Sequence, residues 1–385
     1  MSIYKPKPGI RDHYNPLRGL SLARIVAMEE AAARGDKADL QWLWQQMQDT
    51  DVTVASAVAK RLGAIEALDW EIRTIEGSDA ILAAEQEAVL RYAYERVQNL
   101  QEAARWVAFA NFTGYTFLEK IRTGYGPFIK RLEYIPCQYW AYEANTKRWF
   151  FNPEARSGYR GGEEADRGEL IVHEVASPLF KPICRHFFSK QLALADWDVA
   201  LENGANQAVF MIGPPGTTPE KETEYMSMAE ALTSNMRGYL PPGSDIKITD
   251  LAARSKLPYF DRIEYSDRQI VMAATGGLLT MLTESGSGTL AGNAHAETLA
   301  GLARADAAAI SEVFQRQFDR EILKAFFPGE QIAVYFKFDI PRAQETTAQL
   351  IEAISALSWA GYRINQQQLE EKLGLKIELI DKGAI

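Results

Sequence analysis

Two amphipathic rods bracketing a small insert constrain this chain more than any other feature. Residues 177–203 carry apolar side chains at helical spacing, 207–249 read as strand–helix–strand, and 257–275 are helical again. A Gly/Ser loop follows, Glu284-Ser285-Gly286-Ser287-Gly288-Thr289-Leu290-Ala291-Gly292, and then one more long helix. At 1.5 Å per residue the first rod is roughly 40 Å long. Two rods carrying an insert, with a flexible loop after the second, suit a part that lines a passage better than one that encloses a substrate.

Local punctuation sets the expected boundaries. Ser177-Pro178 predicts a helix start, with a capping hydroxyl and proline in the first turn, and Asn203-Gly204 predicts its stop. In the insert, 207–212 and 244–249 read as strands around a helix at 219–237. Pro214-Pro215-Gly216 and Pro241-Pro242-Gly243 are the rigid turns on either side. Gly276-Gly277 ends or bends the second rod. Residues 294–327 read as a single helix, with Ile310, Phe314, Phe318 and Ile322 in one stripe. A strand over 331–338 and an amphipathic helix over 341–360 follow.

Ahead of the rods, residues 1–20 are rich in Pro, Gly and basic residues and read as an extended arm, either frayed or laid over a neighbouring copy. Helices are expected at 21–34, at 37–48 and from Asp51, where Val54, Val58, Leu62 and Ile65 are spaced helically. A strand is expected at 69–75, then a helical run over 79–110 ended by Gly114. From 115 to 175 the pattern alternates in short aromatic strands, interrupted by a polar Gly-rich loop at 158–168. The fold class is therefore α+β and helix-rich.

The chain has 385 residues and a 47% hydrophobic content, enough for more than one sub-domain. Its net charge is −9 and it contains no basic run, which argues against tight phosphate binding but leaves room for loose contact with a polyanion. The two cysteines, Cys137 and Cys184, read as reduced buried thiols. No leader-like or membrane-spanning apolar run is evident, which places the protein in the cytoplasm or in something assembled there.

Candidate chemistry is sparse. Ile212-Gly213-Pro214-Pro215-Gly216-Thr217 opens like a phosphate-binding loop. The lysine such a loop requires is absent, however, and Pro219 and Glu220 stand where phosphate would lie. The spacing of Gly286, Gly288 and Gly292 is not that of a dinucleotide fingerprint. His13, His173, His186 and His295 pair with no other His or Cys at metal-ligand spacing. Glu163-Glu164 and Glu370-Glu371 read as solvated surface. The expectation is no catalytic residue, no cofactor and no metal. A nucleotide hydrolase using 213–217 is the alternative.

Three stretches carry a family resemblance. They are 51–72, with Lys60-Arg61 and Leu68-Asp69-Trp70; 185–204, with Arg185-His186-Phe187-Phe188, Asp196-Trp197 and Asn203-Gly204; and the order of insert, second rod, loop and long helix. In these the chain resembles portal proteins of Mu-like phages and prophages. The resemblance implies a portal fold with arm (1–20), wing (21–176), stem helices (177–203 and 256–277), clip (204–255), tunnel loop (278–293), wing helix and strand (294–339) and crown (340–385). It also implies a non-enzymatic ring of usually twelve copies at one capsid vertex, passing double-stranded DNA during packaging and ejection. The implied partners are the terminase large subunit, a head–tail adaptor, and the major capsid or scaffold protein. No membrane is implied, and the implied location is the virion, with assembly in host cytoplasm. By position, Glu284, Ser285, Gly286, Ser287, Gly288 and Thr289 would face DNA. Arg254, Lys256, Arg262 and Arg268 are the candidate channel cations, an ion pair within or between subunits being the alternative for each. Pro214, Pro215, Glu220, Tyr239 and Pro241 would meet terminase or adaptor. A different head–tail connector ring is the remaining alternative.

Overall fold

The structure is a computed structural model that describes residues 2–7, 15–66, 68–122, 124, 126–156, 162–205, 208–212, 218–235, 245–249, 259–277 and 289–339, with single helical positions at 355 and 359. The segment expected to be the crown (340–385), with its helix over 341–360, otherwise lies outside the described residues.

Three helices open the fold: α1 (Leu22–Ala33), α2 (Ala38–Thr50) and α3 (Val52–Glu66). Ser21 caps α1 by accepting from the Arg24 amide. Asp51 caps α3 through both Thr53 and Val54 amides, at 3.0 Å each. The expected stripe Val54, Val58, Leu62, Ile65 is buried. Strand β1 (Asp69–Thr74) then pairs antiparallel with β10 (Val334–Asp339), bringing together segments more than 250 residues apart.

The helical run expected over 79–110 is two helices, α4 (Ala80–Glu95) and α5 (Leu100–Thr113). The break has a cause in pairing. The Gln98 amide donates to Lys130 O, and the Asn99 side chain exchanges two hydrogen bonds with the Leu132 backbone. These bonds stitch the linker to a strand edge and outweigh continuation of the helix. Gly114 ends α5 in the left-handed region, at φ 89°.

Strand β2 (Tyr115–Arg122) is central to a sheet in which β3 (Ile129–Ile135) and β7 (Leu170–Glu174) flank it. A second sheet joins β4 (Trp140–Glu143), β5 (Arg148–Phe151) and the two-residue β6 (Glu163–Glu164). Glu163 and Glu164 are exposed, as expected, and Glu164 pairs with Arg148. The two sheets share a small aromatic core in which Phe117 stacks on Trp140 at 3.8 Å. The start of the chain belongs here. Tyr4 is buried in that core and its hydroxyl accepts from the Asp166 amide, while Ser2 and the Ile3 amide donate to Glu119. Residues 2–7 are thus anchored on their own chain, because an aromatic side chain in the arm completes an intramolecular core.

Helix α6 is Phe180–Ala205, later at both ends than expected. Pro178 packs against Gly114 in the corner ahead of the helix, and the Leu179 amide donates to Asn111 O. Pro182, not Pro178, therefore occupies the first turn, where a missing N–H is tolerated. The insert holds β8 (Ala208–Ile212), α7 (Pro219–Asn235) and β9 (Asp245–Thr249), with β8 and β9 antiparallel, close to expectation. Then come α8 (Tyr259–Thr275) and α9 (Thr289–Phe314).

Helix α9 begins at Thr289, so the last residues allotted to the loop, Thr289 to Gly292 among them, are helical. Its two glycines, Gly292 and Gly301, cost about 1 kcal/mol each, which a 26-residue helix tolerates. Nor does this helix run uniformly to its end: Gln315–Asp319 form a π turn before α10 (Arg320–Phe326). The turn leaves Gln317 O to accept from the buried Lys120 ammonium at 2.9 Å, and the Gln317 side chain brackets the Val172 backbone. The predicted stripe Ile310, Phe314, Phe318, Ile322 is fully buried in the main helical core.

The same π turn buries Asp319 beside Tyr94, whose ring lies between Phe318 and Phe336. The Tyr94 hydroxyl donates to Asp319 at 2.5 Å and the Phe336 amide at 2.8 Å. Burial pushes the Asp319 carboxyl up to about 6, and those two donors hold it from rising further. The folded state thus binds this proton more tightly than the unfolded chain. The group favours folding below its ordinary value of 3.8, and that contribution is lost as pH rises through 6. Tyr94→Phe removes a donor that matters most to the ionised form. We expect a loss of roughly 1.5–3 kcal/mol at pH 8 and about 1 kcal/mol or less at pH 5, read from denaturation curves at the two pH values.

Candidate functional site

The rods α6 and α8 lie side by side. His186 meets Tyr265 with ring centroids 5.8 Å apart, and Arg262 Nε donates to Ser189 Oγ at 2.8 Å. The partners advance along one helix as they retreat along the other, so the rods are antiparallel. Helix α8 buries Ser266, Ile270, Val271 and Ala274 and turns Phe260 and Met272 outward. Helix α6 buries Phe180, Ile183, Cys184 and Phe187 at its start and leaves Leu192, Val199 and Leu201 about half exposed.

The rods are tied to the N-terminal helices by a buried cation. Lys190 Nζ lies 3.0 Å from Asp51 and 2.7 Å from Asp267, and also donates to Thr53. Burial acts to lower its pKa, but the bonds to Asp267 and Asp51 outweigh that and raise it, so Lys190 stays charged throughout the neutral range. Five residues earlier on α6, Arg185 pairs with Glu29 at 2.9 Å. Burial, with Arg262 nearby, lowers the pKa of His186.

A second junction sits where α8 ends. Arg61 of α3 grips Asp306 of α9 with two bonds of 2.9 Å, and its third nitrogen donates to Ala274 O at 3.2 Å. Asn111 of α5 adds a bond to Asp306 at 3.0 Å. Gly276 closes α8 at φ +72°, and a Cβ there would stand only 3.0 Å from Leu302 and 3.1 Å from Thr298. Four helices meet at this point.

Among the expected site residues, Arg262 and Arg268 are the described cations, and both have partners within the rods. Arg262 bonds Ser189 and lies 5.8 Å from the Tyr265 ring centre, and Arg268 pairs with Glu264 at 2.5 Å. The ion pair weighed as the alternative for Arg268 is present. Glu220 is exposed in the first turn of α7, with Glu222 beside it, where acids favour the helix dipole. Arg254, Lys256, Pro214, Pro215, Tyr239, Pro241 and 284–288 lie outside the described residues, as does the loop 213–217.

The residues that tie the rods in place escaped sequence reasoning. The available signals were Lys190 just after the apolar Phe187-Phe188, Arg61 inside the stripe of α3, and Asp306 alone among alanines. Cys137 and Cys184 are free and buried, and burial pushes their thiols up to about 11 and about 12. Among the described residues no cluster could hold a metal ion, and no helix is long and apolar enough to cross a membrane.

A family model described as the portal protein of Mu bacteriophage matches residues 41–375. The Mu-like prophage FluMu protein gp29 of Haemophilus influenzae is 23% identical over 95% of this chain and 73% of its own length. The portal protein of Escherichia phage Mu is 22% identical over 94% of this chain and 72% of its own. Among solved structures, a chain in the neck of a native GTA particle computed with C12 symmetry matches with a TM-score of 0.50. It is 14% identical, and the match covers 92% of this chain and 99% of that one. Its likeness is one of fold.

Proposed function

The chain belongs to the family of Mu bacteriophage portal proteins, and from that membership we propose that twelve copies close into a ring around a channel for double-stranded DNA at one capsid vertex. The observation that carries the ring is apolar surface left uncovered on the rods. Leu192 and Val199, seven residues apart on α6, are 50% and 55% exposed, and Phe260 of α8 is 59% exposed, although the rods already pack against each other. Burying a large apolar side chain contributes about 1.5–3 kcal/mol, and a head-to-tail contact between identical copies closes when its rotation divides a circle. The twelvefold symmetry of the matched neck supports that number.

The role is structural rather than enzymatic. A conduit works if its cargo slides, since every fixed phosphate contact has to be broken as DNA advances. A net charge of −9 per copy fits that requirement. Arg262 and Arg268, engaged within the rods, touch passing phosphate at most transiently, and Arg254 and Lys256 are proposed for the same part. The segment 284–288 ahead of α9 faces DNA. The insert, with Glu220 on the exposed start of α7, faces the terminase and later the adaptor, while the wing meets the capsid shell. The ring sits in the virion after assembly in host cytoplasm.

Size-exclusion chromatography with light scattering tests the ring: a mass near twelve chains is expected, and a strict monomer at every concentration contradicts it. Deleting 284–288 is expected to leave ring mass unchanged while packaged DNA falls several-fold in a complementation assay. Loss of rings in that deletion would assign the segment to assembly instead.

A further inference from the structure

We infer that Arg61 is a positioning residue that fixes the end of the second stem helix against α9, and so sets where the chain leaves the stem. The inference rests on the portal reading above. The last carbonyls of a helix have no partner within it. In α8 the Gly276 amide takes Met272 O, and Arg61, from a different helix, takes Ala274 O. A guanidinium there also suits the negative end of the helix dipole. The same guanidinium is held in one orientation by two parallel bonds to Asp306, and its carbon lies 5.8 Å from the Phe112 ring centre.

Asp306 is in turn held by Asn111, and both members of the ion pair are largely buried, at 11% and 7% side-chain exposure. One side chain therefore joins the end of α8 to the interior of α9. Gly276 adds a second constraint: its positive φ strains any other residue, and a Cβ there would crowd Thr298 and Leu302 at 3.1 and 3.0 Å. Sliding α8 by one residue past α9 would break the carbonyl bond and the glycine contact together. Lysine keeps the charge but lacks the planar fork, so it cannot satisfy Asp306 twice and Ala274 O as well.

The test compares assembled rings of the parent, Arg61→Lys and Asp306→Asn by hydrogen exchange, followed by packaging in complementation. Ring mass is expected to be unchanged. Amides at 272–277 are expected to exchange at least tenfold faster in both variants while β2 exchanges as in the parent, and packaged DNA is expected to fall several-fold. Unchanged exchange at 272–277, faster exchange spread equally through β2, or packaging equal to the parent's would overturn the inference, as would monomers from both variants. Failure of the parent itself to form rings would overturn the portal reading instead.

Discussion

Glutamate at both Leu192 and Val199 is expected to give a folded monomer that forms no rings. The two positions are seven residues apart on α6, two turns along one face, and both are about half exposed. A surface substitution without internal partners usually shifts stability by less than about 0.5 kcal/mol, so the monomer should melt as the parent does. In the proposed ring the same positions are covered by the next copy. Each interface would lose roughly 1.5–3 kcal/mol per apolar side chain and gain two desolvated carboxylates, and the penalty recurs at every interface round the circle. Light scattering reads the outcome against a circular dichroism melt. Rings of parental mass would show that this face of α6 is not part of the interface.

The second large effect is expected inside the monomer. Lys190→Met removes the cation shared by Asp51 and Asp267, and stripping one partner from a buried ion pair costs about 3–5 kcal/mol. Asp51 retains its two helix-capping bonds from Thr53 and Val54, so the uncompensated charge falls mainly on Asp267. Adding Asp267→Asn to Lys190→Met should therefore recover more than half of the loss, whereas Asp51→Asn should recover less. Urea denaturation of the three variants reads the order. Equal recovery from both would show that the cation serves the two carboxylates alike.

The sequence made the rods, the insert strands and the stripe of α9 legible because each is a repeat of apolar spacing bounded by Gly, Pro or a capping side chain. What it hid was decided by contacts between distant segments. Asn99 gave no local sign that it would pair with Leu132 and split a helix. The π turn at 315–319 depends on Lys120, nearly two hundred residues earlier in the chain. Tyr4 looked like part of a tail because the aromatic core that receives it is assembled from strands more than a hundred residues away. The site itself was legible only as an order of elements. The ties that hold it, Lys190 to Asp51 and Asp267, and Arg61 to Asp306, join positions that no spacing rule connects.

Electron-microscopic class averages of the purified protein, viewed down the symmetry axis, decide whether the copies close round an open channel. The expected result is a ring of twelve subunits with an open bore that admits a double helix, whose grooves alone are about 7.5–8.5 Å deep. A lone globular particle, or a closed assembly with its centre filled by protein, would contradict it.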